Sequence, residues 1–245
     1  MQSRRAGLVL GMAVCVVAAG GCVVVDAGHA PGTTQTLREP DTRRAYRLYV
    51  PSYYSPDRAW PVVVVCHASR LLDKPAWQID EWKALAESKG FLVVAPELES
   101  VGGDSSKDTS RQLGRQRKDE AAILAVLAHV RAAHSVDTDA VFIAGWMGGA
   151  YPALSTGLRR PDVFRAIALR QPAFDARFFQ ACLPYLDVHQ PVFVLYGMTD
   201  FLRAQSIECV DWLREHRVSV TAQEVGSANK RQPEPLYSFL RGVVR

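Results

Sequence analysis

The sequence predicts a mostly parallel, twisted β-sheet with helices on both of its faces. Continuous apolar runs, such as residues 62–66 and 192–196, are typical of strands that are buried on both faces of a sheet. Stretches with apolar residues at helical spacing separate most of these runs. Because strands that alternate with helices form parallel sheets, we expect the loops at the carboxyl ends of the strands to form a ligand cleft.

The first 21 residues predict an export signal. Arg4 and Arg5 precede an apolar run over residues 8–19, and small residues then lead to Cys22. The run is too short to predict a membrane span. A cysteine in this place resembles a bacterial lipobox, so we expect Cys22 to be acylated and the mature protein to be anchored in the cell envelope. The alternative is a plain secretory signal with an incidental cysteine, which gives a secreted or periplasmic soluble protein.

The rest of the chain predicts a tether and one domain. Residues 22–44 are rich in Gly, Pro, Thr and Asp, which is typical of a tether or an N-terminal extension. Residues 45–245 are expected to form a single α/β domain. The chain has 245 residues, of which 48% are hydrophobic, so it is long enough and apolar enough for one full core.

The charge balance predicts no nucleic-acid partner. The formal net charge is +4, and removing residues 1–21 with their two arginines leaves +2. That value is far from the basic footprint of a nucleic-acid-binding protein. We also find no His, Cys and Asp spacing that is typical of a metal site, and we expect neither a metal nor another cofactor.

The first half of the domain alternates strands and helices. Residues 46–50 alternate apolar and polar side chains, as a half-buried strand does, and residues 62–66 are β-branched and buried. Apolar residues at helical spacing then predict a helix around 79–86, and residues 91–95 form another buried strand. Residues 97–115 are polar and contain neighbouring glycines, which predicts a long loop.

The second half continues the alternation. A helix with its core stripe at residues 123–130 ends near His134, and the buried strand 141–144 follows. A turn and a helix to about Leu158 come next. The remaining predicted elements are the strand 166–169, the strand 192–196, the helix 202–215, the strand 218–224 and the helix 236–243.

The turn after strand 141–144 has the layout of a nucleophile elbow. Residues 145–149 read GWMGG, and in the motif G-x-S-x-G a sharp strand-to-helix turn lifts a serine above the sheet. Met147 occupies the place of the serine, and a thioether cannot be deprotonated or carry an acyl group. We predict a positive φ at Met147 and a side chain that points into the cleft. An ordinary tight turn, with Met147 facing the core, is the alternative.

Seven short stretches carry a family resemblance. They are residues 49–51 (YVP), 61–67 (PVVVVCH), 90–96 (GFLVVAP), 136–137 (VD), 145–149 (GWMGG), 160–164 (RPDVF) and 196–200 (YGMTD). Together and in this order they resemble the α/β-hydrolase superfamily, and in particular its secreted esterases of the polyhydroxybutyrate depolymerase and feruloyl esterase type. The resemblance covers most of the predicted domain.

The resemblance implies a serine, a histidine, an acid and an oxyanion hole. The serine's position is Met147, the acid's is Asp200, and the base's falls in residues 225–234, which contain no histidine. Asn229 is the best match for the base, and it cannot transfer protons at neutral pH. Without a histidine to orient, we expect Asp200 to cap the helix that follows it.

The oxyanion loop of the family usually begins with His-Gly. Here it reads His67-Ala68, and the backbone N–H of Gly148 is the second expected donor. We expect His67 to support its loop. The other candidates lie elsewhere: His189 and His216 precede strands, His129 and His134 lie on a covering helix, and Ser155 lies inside the helix after the elbow.

The cysteines of the domain leave one question open. Cys66 ends a buried strand and is expected to behave as a small hydrophobic residue. Cys182 and Cys209 could form a disulfide in an oxidising compartment or remain two separate buried thiols.

These observations favour an envelope protein with an esterase-like fold and a degenerate, non-catalytic site. Such a protein would bind a small-molecule or polymer ligand, or act as a scaffold, through the old cleft. The first alternative is an active esterase-like hydrolase of carboxylic esters that uses other residues. In the second alternative the cleft is vestigial and an outer surface carries the function.

Overall fold

The fold is a single sheet between two layers of helices. The structure, a computed structural model, describes residues 32–69, 71–102, 109–228 and 232–243. The predictions for Cys22 and Asn229 therefore lie outside the described residues, as does the expected signal segment 1–21.

Among the described residues, eight strands form the sheet in the spatial order β1-β2-β4-β3-β5-β6-β7-β8. The strands are β1 (Thr34–Arg38), β2 (Ala45–Tyr49), β3 (Trp60–Cys66), β4 (Leu92–Pro96), β5 (Val136–Trp146), β6 (Ala166–Arg170), β7 (Val192–Gly197) and β8 (Val220–Val225). Strands β3 to β8 run parallel to one another, whereas β1 and β2 are antiparallel to their neighbours.

In the described part of the chain, five α-helices cover the two faces of the sheet. They are α1 (Pro75–Lys89), α2 (Thr109–Ala133), α3 (Ala150–Arg159), α4 (Arg203–Glu215) and α5 (Glu234–Val243). One hydrophobic cluster joins the sheet to α2, α3 and α4, and a second cluster joins its other face to α1 and α5. The predicted fold class, a mostly parallel sheet with helices on both faces, is confirmed.

Local sequence signals explain where α1 begins and ends. Pro75 occupies its first turn, where a missing N–H costs nothing and the fixed φ of proline suits a helix. Gly90 ends the helix in the left-handed conformation with φ 78°, and its N–H donates to the carbonyl of Ala86. The buried side chains of α1 include Ile79, Trp82 and Leu85, which were predicted from their spacing.

Three elements differ from the sequence-based expectation. Thr34–Arg38, expected in a tether or N-terminal extension over residues 22–44, is the edge strand β1 and pairs with β2. Helix α2 begins at Thr109, inside the loop predicted for 97–115, and a short 3₁₀ turn covers Ser100–Gly102. Strand β5 begins at Val136, several residues before the predicted start. All three segments are mostly polar, and for the two strand segments the pairing with neighbouring strands decided their structure.

A bilayer-spanning helix is not found among the described residues, since none of their helices combines the necessary length and apolar character.

Candidate functional site

The elbow has the backbone geometry that was predicted for it. Strand β5 ends at Trp146, a 3₁₀ turn covers Met147–Gly149, and α3 begins at Ala150. Met147 has a φ of 49°, in the left-handed region that residues with a Cβ avoid. Holding a non-glycine residue there costs on the order of 1–3 kcal/mol, so the surrounding structure must enforce the turn.

Two glycines allow the close approach of α3 to the sheet. A Cβ at Gly149 would lie 2.1 Å from the carbonyl oxygen of Cys66, and a Cβ at Gly145 would lie 2.6 Å from that of Gly149. Real Cβ atoms do not come so close to backbone oxygens, so neither position accepts a side chain without movement. The glycine spacing that identified the elbow in the sequence is therefore required by packing.

The Met147 side chain lies on the cleft side of the sheet. It is 6% exposed and forms a small cluster with Ala68 and Leu202, separate from the two clusters of the main core. Trp146 and Ala173 pack against this cluster. These residues lie at or after the carboxyl ends of strands. The thioether therefore fills space at the apex of the turn.

The segment after β4 closes against the same turn. A Cβ at Gly148 would lie only 1.7 Å from the carbonyl oxygen of Val101, so this carbonyl lies directly against the elbow. Ser100 is held by helix α2: its N–H and hydroxyl each donate to Asp119 at 2.7 Å, and its carbonyl accepts from Gln112. Burial raises the pKa of Asp119. Sequence reasoning missed these contacts between Ser100 and α2 because the residues lie far apart in the chain.

His67 supports its loop, as was expected. It is 1% exposed, and its Nε2 accepts a hydrogen bond from the N–H of Leu98 at 3.0 Å. Its Nδ1 then carries the proton and donates to the carbonyl of Ala68 at 2.6 Å. Burial lowers the pKa of His67 below its usual value of 6.5, which favours this neutral form. Both ring nitrogens have backbone partners.

The N–H of Ala68, a candidate oxyanion donor, is already engaged. It donates to the carboxylate of Asp73 at 3.0 Å, and the amide of Gln78 donates to the same oxygen at 2.6 Å. Asp73 is fully buried. Ala68 therefore turns its N–H toward the loop interior, while its side chain contacts Met147.

Asp200 does not cap α4, and that prediction is wrong. The helix has Leu202 at its N-cap position without a side-chain hydrogen bond. The Asp200 carboxylate instead accepts from the N–H of Gly197 at 2.7 Å, from the N–H of Ala228 at 3.2 Å and from the hydroxyl of Ser227 at 3.2 Å. It joins the turn after β7 to the segment after β8, which is the segment that precedes Asn229.

Comparisons with known proteins agree with this fold. The sequence profile of the prolyl oligopeptidase family matches residues 77–185. S-formylglutathione hydrolase from Staphylococcus aureus has a similar structure, with 14% identity, a TM-score of 0.64 and coverage of 86% of this chain and 94% of that chain. The chain has the α/β-hydrolase fold.

Two further structures match this α/β-hydrolase fold. A ferulic acid esterase from Anaeromyces mucronatus, solved with ferulic acid, has 15% identity, a TM-score of 0.63 and coverage of 82% of this chain and 85% of that chain. Dipeptidyl peptidase 4 from Porphyromonas gingivalis has 16% identity, a TM-score of 0.61 and coverage of 88% and 35%, respectively. Identities this low show the fold alone. No curated protein sequence matches the chain.

The other histidines of the described residues contact groups away from the elbow. His129 meets the hydroxyl of Tyr46 at 3.1 Å, and His134 packs edge-on against the ring of Tyr54. The Nδ1 of His216 donates to the carbonyl of Trp212 at 2.8 Å, and its ring packs at a tilt against the Trp212 ring. His189 precedes β7, at the amino edge of the sheet. Within the described ranges, no cluster of His, Cys, Asp and Glu could hold a metal ion.

The described cysteines are free and buried. Cys182 and Cys209, for which the sequence left pairing open, are separate thiols, and Cys66 lies in the core of the sheet. Burial raises the pKa of Cys182 to about 12 and raises the pKa of Cys66 and Cys209 as well. Thiols that stay protonated are poor nucleophiles, so none of these three cysteines has the character of a reactive thiolate.

A buried ion pair lies beside the elbow, and sequence reasoning missed it. Arg170, at the carboxyl end of β6, meets Glu81 of α1 through its two terminal guanidinium nitrogens at 2.7 and 3.0 Å. Both side chains are 2% exposed, and the guanidinium carbon lies 5.1 Å from the centre of the Trp146 ring. The pair ties α1 to the strand next to the turn. An arginine that ends a buried strand was the available sequence signal.

Proposed function

We propose that this α/β-hydrolase-fold protein is non-hydrolytic and works as a binding or scaffold protein. The observation that carries the proposal is Met147, which holds the strained position of the nucleophile and packs against Ala68 and Leu202. A thioether has no proton to lose and forms no acyl intermediate, so the covalent route of serine esterases is closed to it.

The groups around Met147 support the same conclusion. Acyl transfer by this fold needs a base beside the nucleophile and free N–H donors where the oxyanion develops. Residues 225–234 contain no histidine, and the Asp200 carboxylate accepts hydrogen bonds from backbone N–H groups and a hydroxyl. The N–H of Ala68 is bound to Asp73. Losing the nucleophile, the base and one donor together removes most of the rate enhancement.

A ligand of this protein would meet an apolar floor. Met147, Ala68 and Leu202 form that floor, and methionine adapts its shape to irregular ligands. We propose a small molecule or a polymer with apolar groups. A thermal-shift screen with phenolic acids and hydroxyacid oligomers tests this. A ligand that stabilises the wild type and not Met147→Ala supports the proposal that ligands contact Met147. Equal stabilisation of both proteins contradicts that proposal.

The alternative is an active hydrolase of carboxylic esters that uses other residues of the same cleft. The retained strain at Met147 and the retained acid at Asp200 favour it, since both features serve catalysis in active enzymes. Hydrolysis of p-nitrophenyl butyrate and methyl ferulate separates the two proposals.

The assay compares wild type with Met147→Ala, Asp200→Asn and the distant control Val188→Ser. We expect the same background rate in all four proteins, because no residue of the cleft would act on the ester. A wild-type rate that Val188→Ser keeps and the two cleft variants lose would contradict the non-hydrolytic function.

We further propose that the protein is anchored in the cell envelope through an acylated Cys22. The apolar run 8–19 and the small residues before Cys22 support this. The native protein should then partition with membranes, and Cys22→Ser should release it. Mass spectrometry that finds a free, unacylated N-terminus at another residue would contradict the anchor.

A further inference from the structure

Exposed apolar side chains concentrate at the carboxyl edge of the sheet. Eight large apolar side chains of the described residues are exposed, and five of them belong to the segments after β3 and β7. We call these five the apolar edge: Leu71, Leu72, Trp77, Met198 and Phe201. They lie on the two sides of the turn that carries Met147.

These side chains protrude into solvent. Leu71 is 94% exposed, Phe201 is 71% exposed and Met198 is 61% exposed. Scattered apolar residues on a surface are ordinary, but a group of them at one edge is typical of an interaction surface.

Positive charge accompanies the apolar edge. The ammonium of Lys74 lies 4.7 Å from the centre of the Trp77 ring. Lys74 and Arg47 line the same open cavity, together with Glu97, so the local balance is positive. Tryptophan and lysine next to protruding leucines are the composition of surfaces that lie in the headgroup region of a bilayer.

We propose that the apolar edge contacts a lipid surface with anionic headgroups. Leucine, methionine and phenylalanine side chains would enter the boundary between headgroups and acyl chains, with Trp77 at the interface and Lys74 among the phosphates. The contact is a second association with the membrane that does not require acylation of Cys22, and it leaves the Met147 turn facing the bilayer.

The chain is long enough for both contacts at once. The described residues begin at the amino edge of the sheet, where the N–H of Gly32 donates to the carbonyl of Val50. Gly32 comes ten residues after Cys22, and ten extended residues reach about 33–36 Å. The seven residues of β3 rise only about 23 Å. A lipid anchor at Cys22 could therefore share a bilayer with the opposite edge.

Site-specific fluorescence tests the contact in the full chain. Cys15→Ser and Cys22→Ser remove the two cysteines that lie outside the described residues and also remove acylation, so the result does not depend on the anchor. Leu71→Cys, Phe201→Cys and the control Val188→Cys then each carry a nitrobenzoxadiazole label. Val188 is a matched control because it is exposed, apolar and located before β7, at the amino edge.

On vesicles of equimolar phosphatidylglycerol and phosphatidylcholine, we expect the labels at 71 and 201 to shift to shorter wavelengths. Nitroxide-bearing lipids should quench these two labels and leave the label at 188 unchanged. Replacing Leu71 and Leu72 by serine should remove most of the shift at 201, and Val188→Ser should not.

Three outcomes would overturn the proposal. The first is a label at 71 that behaves like the label at 188 although flotation shows the protein on the vesicles. The second is a protein that does not float with the vesicles. The third is an equal shift on pure phosphatidylcholine, which would contradict the contact between Lys74 and anionic headgroups.

Discussion

Replacing Met147 by glycine and by alanine measures the strain of the elbow. At a φ of 49° a residue with a Cβ carries a cost of about 1–2 kcal/mol. Glycine avoids that cost but loses about 0.5–1 kcal/mol more conformational entropy on folding than alanine does. Both variants lose the same thioether contacts. Met147→Gly should therefore be more stable than Met147→Ala by roughly 0.5–1 kcal/mol.

Urea unfolding followed by tryptophan fluorescence gives the comparison, provided that the variants share one m-value. Ala150→Gly is the control, because Ala150 has an ordinary helical φ of −64°. Glycine should be less stable than alanine there, by about 0.5–1 kcal/mol before lost packing is counted. If Met147→Ala is as stable as Met147→Gly, the turn is unstrained and the preserved elbow is refuted.

Three other predictions concern the surroundings of the turn. Gly148→Ala should lower the free energy of unfolding by about 1–3 kcal/mol or more, because its Cβ would meet the Val101 carbonyl. Gly226→Ala is the control, because its Cβ would meet nothing within 4 Å. Equal losses of stability in urea unfolding would contradict the contact between Gly148 and Val101. Because the pKa of His67 is lowered in the folded protein, the unfolded chain binds more protons at this histidine than the folded protein does as the pH falls below 6.5. The contribution of this histidine to the free energy of unfolding is fully present above pH 6.5 and should fall on acidification by at most about 1.4 kcal/mol per pH unit. His67→Gln should show a flatter dependence of stability on pH, and a dependence identical to that of the wild type would refute the assignment. Cys66, Cys182 and Cys209 should resist a maleimide in the native protein and react after denaturation without reductant, as peptide masses would report; two thiols that stay unreactive would indicate a disulfide.

The sequence predicted the elbow because its signal is local. The spacing of Gly145 and Gly149 around Met147 is needed for close packing at that one turn, so the pattern alone predicted the positive φ. The buried strands were also predictable, because continuous β-branched runs fit few other environments. These signals predicted the sheet and a candidate site at its carboxyl edge.

Features that depend on distant partners were not predictable. Strand β1 is polar and alternates between exposed and half-buried residues, and only its pairing with β2 makes it a strand. The carboxylate of Asp200 binds donors 27 and 28 residues later in the chain, so its local context suggested a helix cap instead. The ion pair of Arg170 with Glu81 spans 89 residues. Such contacts follow from the topology of the sheet.

Covalent labelling with a fluorophosphonate tests the central claim most directly. These reagents phosphonylate an activated serine of a hydrolase, and intact-mass spectrometry detects a single adduct. We expect the mass of the full chain to remain unchanged after incubation with excess reagent, because in the proposed function Met147, with its φ of 49°, stands at the position of the nucleophile. A single stoichiometric adduct that forms on the native protein and not on the urea-unfolded chain would contradict the account, because it would reveal an activated nucleophile within this fold.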